Sequence, residues 1–117
     1  MNHDTDTRRA PRRRVRQPVV VVDAMTGNAV GRLGNISESG MLLVADAPLV
    51  EDAVYQLEFA LGEGPGRETI IDVGAHLQWT GPANTPGQVW MGLRFLTLSD
   101  AHRALLRQWM DTLGEPG

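Results

Sequence analysis

The chain has 117 residues, 42% of them hydrophobic, and a net charge of −3, which indicates one small packed domain rather than a disordered tail. It has no cysteine, which excludes disulfides, thiolate nucleophiles and cysteine-based metal sites, and its three widely separated histidines argue against a metal site. No apolar run approaches the roughly 20 residues of a membrane span, and no signal peptide is recognisable, so a soluble cytoplasmic protein without membrane insertion is expected.

The first 17 residues predict a flexible, arginine-rich arm ahead of a folded domain over residues 18–117. Six of the eleven basic residues lie within residues 1–16 against two acidic ones, whereas the rest of the chain carries five basic and twelve acidic residues. A basic arm on an acidic body favours an anionic ligand for the arm. All eleven basic residues are arginine, whose planar fork suits phosphate and the guanine edge. A nucleic-acid partner is disfavoured, because such proteins usually have a basic folded body as well.

The next segment predicts three strands. Residues 18–24 are rich in β-branched side chains, and residues 26–28 supply turn chemistry before a second strand over residues 29–36. Residues 35–40, with the sequence NISESG, form a loop, after which residues 41–45 resume as a buried strand. The first two strands are expected to form a hairpin.

Three later stretches alternate apolar and polar residues, which predicts strands with one buried face. They cover residues 55–61, 71–79 and 89–95. A hairpin loop is expected at residues 62–66 and a second break at residues 81–87, since both are rich in glycine and proline.

The apolar period changes from strand to helix after Leu98. Ser99 is a suitable N-cap, and Gly114 and Pro116 are expected to end the helix. The apolar residues at helical spacing are Leu105, Leu106, Trp109, Met110 and Leu113. About six short strands and one C-terminal helix predict a mainly β domain, either a small antiparallel barrel or a sandwich, with the helix over one opening or edge.

Two elements of the sequence are candidates for ligand binding. Three arginine pairs in the arm have the spacing RxxxR, which can grip a phosphodiester and present a fork to guanine; they are Arg8/Arg12, Arg9/Arg13 and Arg12/Arg16. A solvated basic tail is the alternative for these arginines. The loop offers the amide of Asn35 and the hydroxyl of Ser37, followed by a glycine, and an ordinary Asx turn is the alternative there.

Together, the two elements resemble the PilZ domain family, whose pattern is RxxxR followed some twenty residues later by (D/N)xSxxG. Arg8 and Arg12 match the first element, because counting back from the strand that starts at Pro18 puts the family's second arginine at Arg12. The segment MGLRF before the helix is also similar to the usual end of the family's domain. Ser39 is a departure, since many members have glycine there.

The resemblance implies a six-stranded PilZ-type β-barrel that binds the dinucleotide cyclic di-GMP, with no cofactor or metal. Arg8 and Arg12 would be the main clamp with Arg9 assisting, and Asn35 and Ser37 would donate or accept hydrogen bonds. Gly40 would allow close approach. The ligand-binding residues implied in this way are therefore Arg8, Arg9, Arg12, Asn35, Ser37 and Gly40.

The expected function is that of a sensor or effector that changes conformation on ligand binding and signals to a separate, unidentified protein. The alternative is an adaptor of the same fold that acts through protein contacts without nucleotide. An enzyme is not expected, because no nucleophile–base pair, carboxylate dyad or phosphate-binding P-loop is recognisable. Trp79 could stack on a guanine, or it could continue the apolar face of its strand in the core or at the rim, and Trp90 could mark a partner surface.

Overall fold

The computed structural model of the chain describes residues 13–14, 18–62 and 68–112, which form seven strands and one helix. The strands are β1 (Arg13–Arg14), β2 (Val20–Asp23), β3 (Ala29–Ile36), β4 (Gly40–Ala45), β5 (Val54–Gly62), β6 (Glu68–Pro82) and β7 (Val89–Thr97), and the helix is α1 (Asp100–Thr112). All the predicted strands and the helix are present. The predicted hairpin loop before β6 lies mostly outside the described residues.

Strands β2 to β7 close into an antiparallel barrel. Neighbouring strands follow the order β3-β2-β5-β6-β7-β4, and β4 pairs back to β3. Every one of these pairings is antiparallel. The mainly β fold class with six strands and a C-terminal helix is therefore confirmed, and the architecture is the barrel rather than the sandwich.

The predicted break at residues 81–87 begins too early. Residues 81 and 82 were expected to break the chain, but β6 runs through Gly81 to Pro82 because these residues still pair with Trp90 and Val89 of β7. Proline is tolerated at this place since it is the last residue of the strand, where one missing backbone donor disrupts little of the ladder. The following turn closes with a hydrogen bond from the Ala83 amide to the Gln88 carbonyl at 3.0 Å.

The short strand β1 lies beside the end of β3. Arg13 pairs with Ile36 and Arg14 pairs with Asn35, while β4 pairs with the same two residues from the other side. β1 therefore occupies the same edge of β3 as β2, nearer the end of β3. The rest of the predicted arm lies outside the described residues, so its flexibility stays a prediction.

Alternation along the strands places one apolar set inside the barrel. Leu57, Phe59, Ile71, Val73 and Leu77 are among the buried members of a single core cluster. Each fully buried side chain of this size contributes about 1.5–3 kcal/mol relative to an exposed one. The core is continuous around the barrel, as the closed strand order requires.

The helix α1 closes this core from one side. Its side chains Leu106 and Met110 are buried in the barrel cluster, and Trp109 packs partly buried against it. Leu105 was expected on the same apolar face, but it is 36% exposed and lies at the rim. The predicted N-cap is confirmed, because the His102 amide donates to the Ser99 hydroxyl at 3.1 Å.

Candidate ligand-binding site

A bulge in β3 sets the direction of Asn35. The pairing of β3 with β4 shifts register between Leu33 and Asn35, so Gly34 is an extra residue in the strand. In a regular strand Leu33 and Asn35 would share one face, but a bulge resets the alternation. Leu33 and Ile36 are accordingly buried, and Asn35 between them is only half-buried. The sequence signal for this bulge was the glycine within the strand.

The loop after β3 is tightly closed on itself. The Ser37 amide donates to the Gly40 carbonyl at 2.9 Å, and the Ser39 amide donates to the Ser37 hydroxyl at 3.2 Å. The two hydroxyls of Ser37 and Ser39 lie 3.1 Å apart. Ser37 is completely buried, whereas Ser39 is exposed. In this arrangement the Ser37 hydroxyl forms hydrogen bonds within the loop, and the Ser39 side chain is exposed to solvent.

Gly40 is fixed by the neighbouring strand. It pairs with Arg94 of β7, and a Cβ atom at this position would collide with the backbone carbonyl oxygen of Leu93. The Phe95 amide also donates to the Ser39 carbonyl at 2.9 Å, which holds the loop against β7. Glycine is therefore required here for strand packing. The expected close approach of a ligand at Gly40 stays a prediction.

The arm reaches the loop through β1. Asn35, Ser37 and Gly40 lie together at one end of β3 and β4, and the backbone of Arg13 and Arg14 pairs directly beside them. The predicted ligand residues Arg8, Arg9 and Arg12 lie outside the described residues. Their role stays a prediction, and so does the choice among the three arginine pairs.

A row of paired residues connects Asn35 with Trp79 across the barrel wall. Asn35 pairs with Leu42, Leu42 with Gly92 and Gly92 with Trp79, so the row crosses three strand spacings or about 14 Å. Trp79 is 46% exposed, and its indole lies on Gly92, where a Cβ atom would collide with it. The core, one of the alternatives predicted for Trp79, is thus excluded, and the rim and stacking alternatives stay predictions.

The sequence could not settle the position of Trp79, because a second bulge intervenes. The pairing of β6 with β7 shifts register between Leu77 and Trp79. Leu77 keeps the inward direction of its strand, and the shift turns Trp79 outward. Trp90 is half-buried with its ring close to Gly34, so both indoles cover glycines on the outer barrel surface.

The loop is also held by the helix. Arg103 donates from Nη1 to the Glu38 carbonyl oxygen at 3.2 Å, and Arg107 donates from Nε to the Glu38 carboxylate at 2.8 Å. Glu38 lies between the two loop serines. These contacts join residues 65 and 69 positions apart in the chain. Sequence analysis missed them because no local pattern pairs a loop glutamate with a distant helix.

A carboxylate pair lies on the outer face of β5 and β6. Glu58 pairs with Asp72 across the two strands, and a side-chain hydrogen bond with Asp72 raises the pKa of Glu58. Partial desolvation and the negative charge of Asp72 raise this pKa further. Within residues 18–62 and 68–112, no three histidine, cysteine or acidic side chains are grouped so that they could hold a metal ion.

A family model described as the PilZ domain matches residues 6–112, nearly the whole chain. The chain belongs to the PilZ domain family. The resemblance inferred from the sequence is confirmed, and the matched range includes the arm arginines as well as the loop. No curated protein sequence matches the chain. In the part of this PilZ chain that the structure describes, no helix is both long and apolar enough to cross a membrane.

Solved structures share this PilZ fold. The PilZ domain of YcgR from Escherichia coli with c-di-GMP is 16% identical with a TM-score of 0.68, covering 90% of this chain and 89% of that chain. YcgR in complex with c-di-GMP is 21% identical with a TM-score of 0.70, covering 90% and 45%. The Bacillus subtilis inhibitor of motility, MotI/DgrA, is 17% identical with a TM-score of 0.70, covering 89% and 49%. This chain spans about half the length of the last two, and at these identities the likeness concerns the fold.

Proposed function

We propose that this PilZ protein binds cyclic di-GMP between its arginine-rich arm and the loop at residues 35–40. The protein then acts as a sensor in the cytoplasm rather than as an enzyme, and it passes the signal to a separate protein. In this proposal Arg8 and Arg12 clamp the ligand and Arg9 assists. Family membership supports the ligand class, since the YcgR structure with the same fold contains c-di-GMP.

The observation that carries the proposal is the pairing of β1 with the end of β3. Arg13 pairs with Ile36, the residue before Ser37, and the antiparallel direction leads the chain from Arg13 back towards the loop. Arg12 is bonded to Arg13, so their Cα atoms are about 3.8 Å apart. In this proposal, the arginines that precede Arg13 in the sequence contact a ligand bound beside the loop.

The chemistry of the ligand fits the residues gathered there. Cyclic di-GMP carries two phosphodiesters and two guanines, and arginine can form paired hydrogen bonds with phosphate oxygens or with guanine O6 and N7. Asn35 projects from the outer wall beside the arm, and the exposed face of Trp79 lies further along the same residue row. We assign Asn35 to hydrogen bonding with the ligand and Trp79 to stacking on a guanine, while Ser37 and Gly40 keep the loop in shape.

Calorimetric titration with cyclic di-GMP tests the proposal. The wild-type protein is expected to bind, and Arg12→Ala is expected to weaken binding by about tenfold or more, since a paired arginine–guanine contact contributes about 1–3 kcal/mol. Arg8→Ala should have a similar effect. Arg16→Ala is the matched control within the arm, because it removes the same charge but lies outside the preferred pair.

Two results would contradict these assignments separately. No heat with the wild-type protein at micromolar ligand would overturn nucleotide binding itself. A larger loss for Arg16→Ala than for Arg8→Ala would instead select the Arg12/Arg16 pair. Cyclic di-AMP serves as the control ligand, because adenine has an N6 donor in place of the O6 acceptor that the arginine fork requires.

One observation favours the second candidate, an adaptor that works through protein contacts without nucleotide. Ser37 is completely buried with its hydroxyl already engaged by Ser39 and Gly40, and Ser39 occupies a position where many PilZ proteins have glycine. A loop that satisfies its own polar groups needs no ligand to be stable. Absence of binding in the titration, with the fold intact by circular dichroism, would select this adaptor function.

A further inference from the structure

Two arginines of the helix α1 donate hydrogen bonds to Glu38 in the loop at residues 35–40. Arg103 and Arg107 lie one helical turn apart, so both guanidinium groups are on one side of the helix. One donates to the backbone of Glu38 and the other to its carboxylate. The loop is therefore held by its main chain as well as by a side chain, and a displacement of the loop changes both contacts.

The same helix is firmly seated in the barrel. Leu106, adjacent in sequence to Arg107, is completely buried, and Met110 is buried one turn later. Trp109 packs against the same core cluster. The helix thus contacts the core with one side and the loop with another, so it connects the two.

We propose that Arg103 and Arg107 are positioning residues that hold the loop in its ligand-binding shape, so that ligand binding and the seating of α1 are linked. The proposal rests on the proposed function and adds to it a path from the ligand loop to the helix. Asn35 then binds the ligand without the loop first having to be ordered, because Glu38 is already fixed. Fixing a loop before binding increases affinity by reducing the entropy lost in the complex.

Thermodynamic linkage determines how substitutions in the helix should change ligand affinity and how the ligand should affect the helix. If the helix favours the binding conformation of the loop, the ligand must favour the seated helix by the same factor. The Arg107–Glu38 ion pair is substantially exposed, with 59% and 39% of the two side chains accessible. Exposed pairs contribute little, so Arg107→Ala alone should weaken binding by only about two- to fivefold. Removing both arginines should weaken it by about tenfold, since the half-buried Arg103 contact to a backbone carbonyl is also lost.

The experiment compares cyclic di-GMP binding and amide hydrogen exchange in the wild-type protein and in the double variant Arg103→Ala/Arg107→Ala. In the wild type, ligand is expected to slow exchange within α1. The double variant should bind about tenfold more weakly and show no such slowing. Gln108→Ala is the matched control, because it changes an exposed residue of the same helix and should behave as wild type. Glu38→Ala repeats the test from the loop side if the double variant folds poorly.

A charge exchange separates positioning from a general loss of stability. Glu38→Arg combined with Arg107→Glu should recover part of the affinity that Glu38→Arg alone loses. Wild-type affinity in the double variant, or α1 exchange that ligand leaves unchanged in the wild type, would overturn the linkage while leaving nucleotide binding intact. If the wild type binds no nucleotide, the proposed function fails, and the loop–helix connection is tested in the free protein. Additive effects of Glu38→Ala and Arg107→Ala on unfolding would then reject it.

Discussion

At three glycines of the barrel wall, neighbouring groups occupy the space that a Cβ atom would need. Gly34 faces the ring of Trp90, Gly92 lies under the indole of Trp79, and Gly40 meets the Leu93 carbonyl. The first two contacts are with side chains that can move, but the third is with backbone held in a strand pair. Gly40 is consequently the position where an added methyl group has the least room to be accommodated.

Gly40→Ala is expected to destabilise the protein by about 1–3 kcal/mol, as overpacking a fixed backbone contact typically does. The free energy of unfolding from urea denaturation measures this effect. Gly81→Ala is the control, because the nearest atoms to its added Cβ are at an ordinary 3.6 Å. Equal free energies of unfolding for the two variants would show that the backbone contact between Gly40 and Leu93 can adjust without destabilising the protein.

The Glu58–Asp72 pair predicts a pH dependence. A pKa raised in the folded state means that the folded protein binds the Glu58 proton more tightly than the unfolded chain does. The stabilisation is present below the ordinary pKa of a glutamate and is lost as pH rises through the raised value. Glu58→Gln should therefore be more stable than wild type at neutral pH, with the difference shrinking in acid.

Urea midpoints measured across the acidic range check this expectation. Glu68→Gln, which removes an exposed carboxylate from the start of β6, is the control and should retain the wild-type slope. A Glu58→Gln variant whose midpoints follow the wild type in parallel at every pH would contradict the assigned cause.

The candidate site could be predicted in part at this scale. The loop residues Asn35, Ser37 and Gly40 could be identified from the sequence, because the (D/N)xSxxG pattern is defined by residue type and spacing. The outward position of Trp79 and the contacts of Glu38 could not be predicted from the sequence. The first depends on a bulge that shifts the register of β6 against β7, and the second depends on helix residues more than 60 positions away.

Among the elements, the helix α1 shows the difference between apolar spacing and burial. Leu105 and Leu106 both fit the helical pattern, yet Leu106 is completely buried and Leu105 is 36% exposed. Helical spacing determines which side is apolar, but its edges depend on how the helix is rotated over the barrel. That rotation is set by contacts beyond the helix itself, including those of Arg103 and Arg107 with the loop.

Leu106→Ala is expected to lower the free energy of unfolding by about 2–5 kcal/mol, since it leaves a cavity between α1 and the barrel. Leu105→Ala makes the same chemical change one residue earlier and should cost less than about 1 kcal/mol. Guanidinium denaturation of both variants provides the comparison. A similar loss at the two positions would contradict the orientation of α1 in which Leu106 is buried and Leu105 lies at the rim.

The strands were predicted more completely than the connections between them. β3 begins and ends at the predicted residues, β5 extends the predicted alternating stretch by one residue at each end, and β7 extends it by two residues at its end. Alternation is a local property and survives in the structure wherever no bulge occurs. The break at residues 81–87 was placed too early, because pairing with β7 keeps Gly81 and Pro82 in the strand.

For the whole molecule, sequence reasoning left barrel and sandwich open. β3 and β4 are the two ends of the strand order, and the sheet is a closed barrel only if these two strands also pair with each other. The apolar–polar alternation within a strand does not indicate which other strand it pairs with. The pairing of Leu33 with Leu43 and of Ile36 with Met41 closes the sheet. The acidic body and basic arm, by contrast, were visible in the sequence because charge is additive along the chain.

The short β1 strand has a consequence for self-association. β2 covers only the first part of the β3 edge, and Arg13 and Arg14 cover the part at Asn35 and Ile36. Proteolytic loss of the arm would leave these backbone amides and carbonyls as an open strand edge, which is a template for pairing with another polypeptide. β1, which lies beside the loop, thus covers a stretch of the β3 edge that would otherwise be open to pairing with another chain.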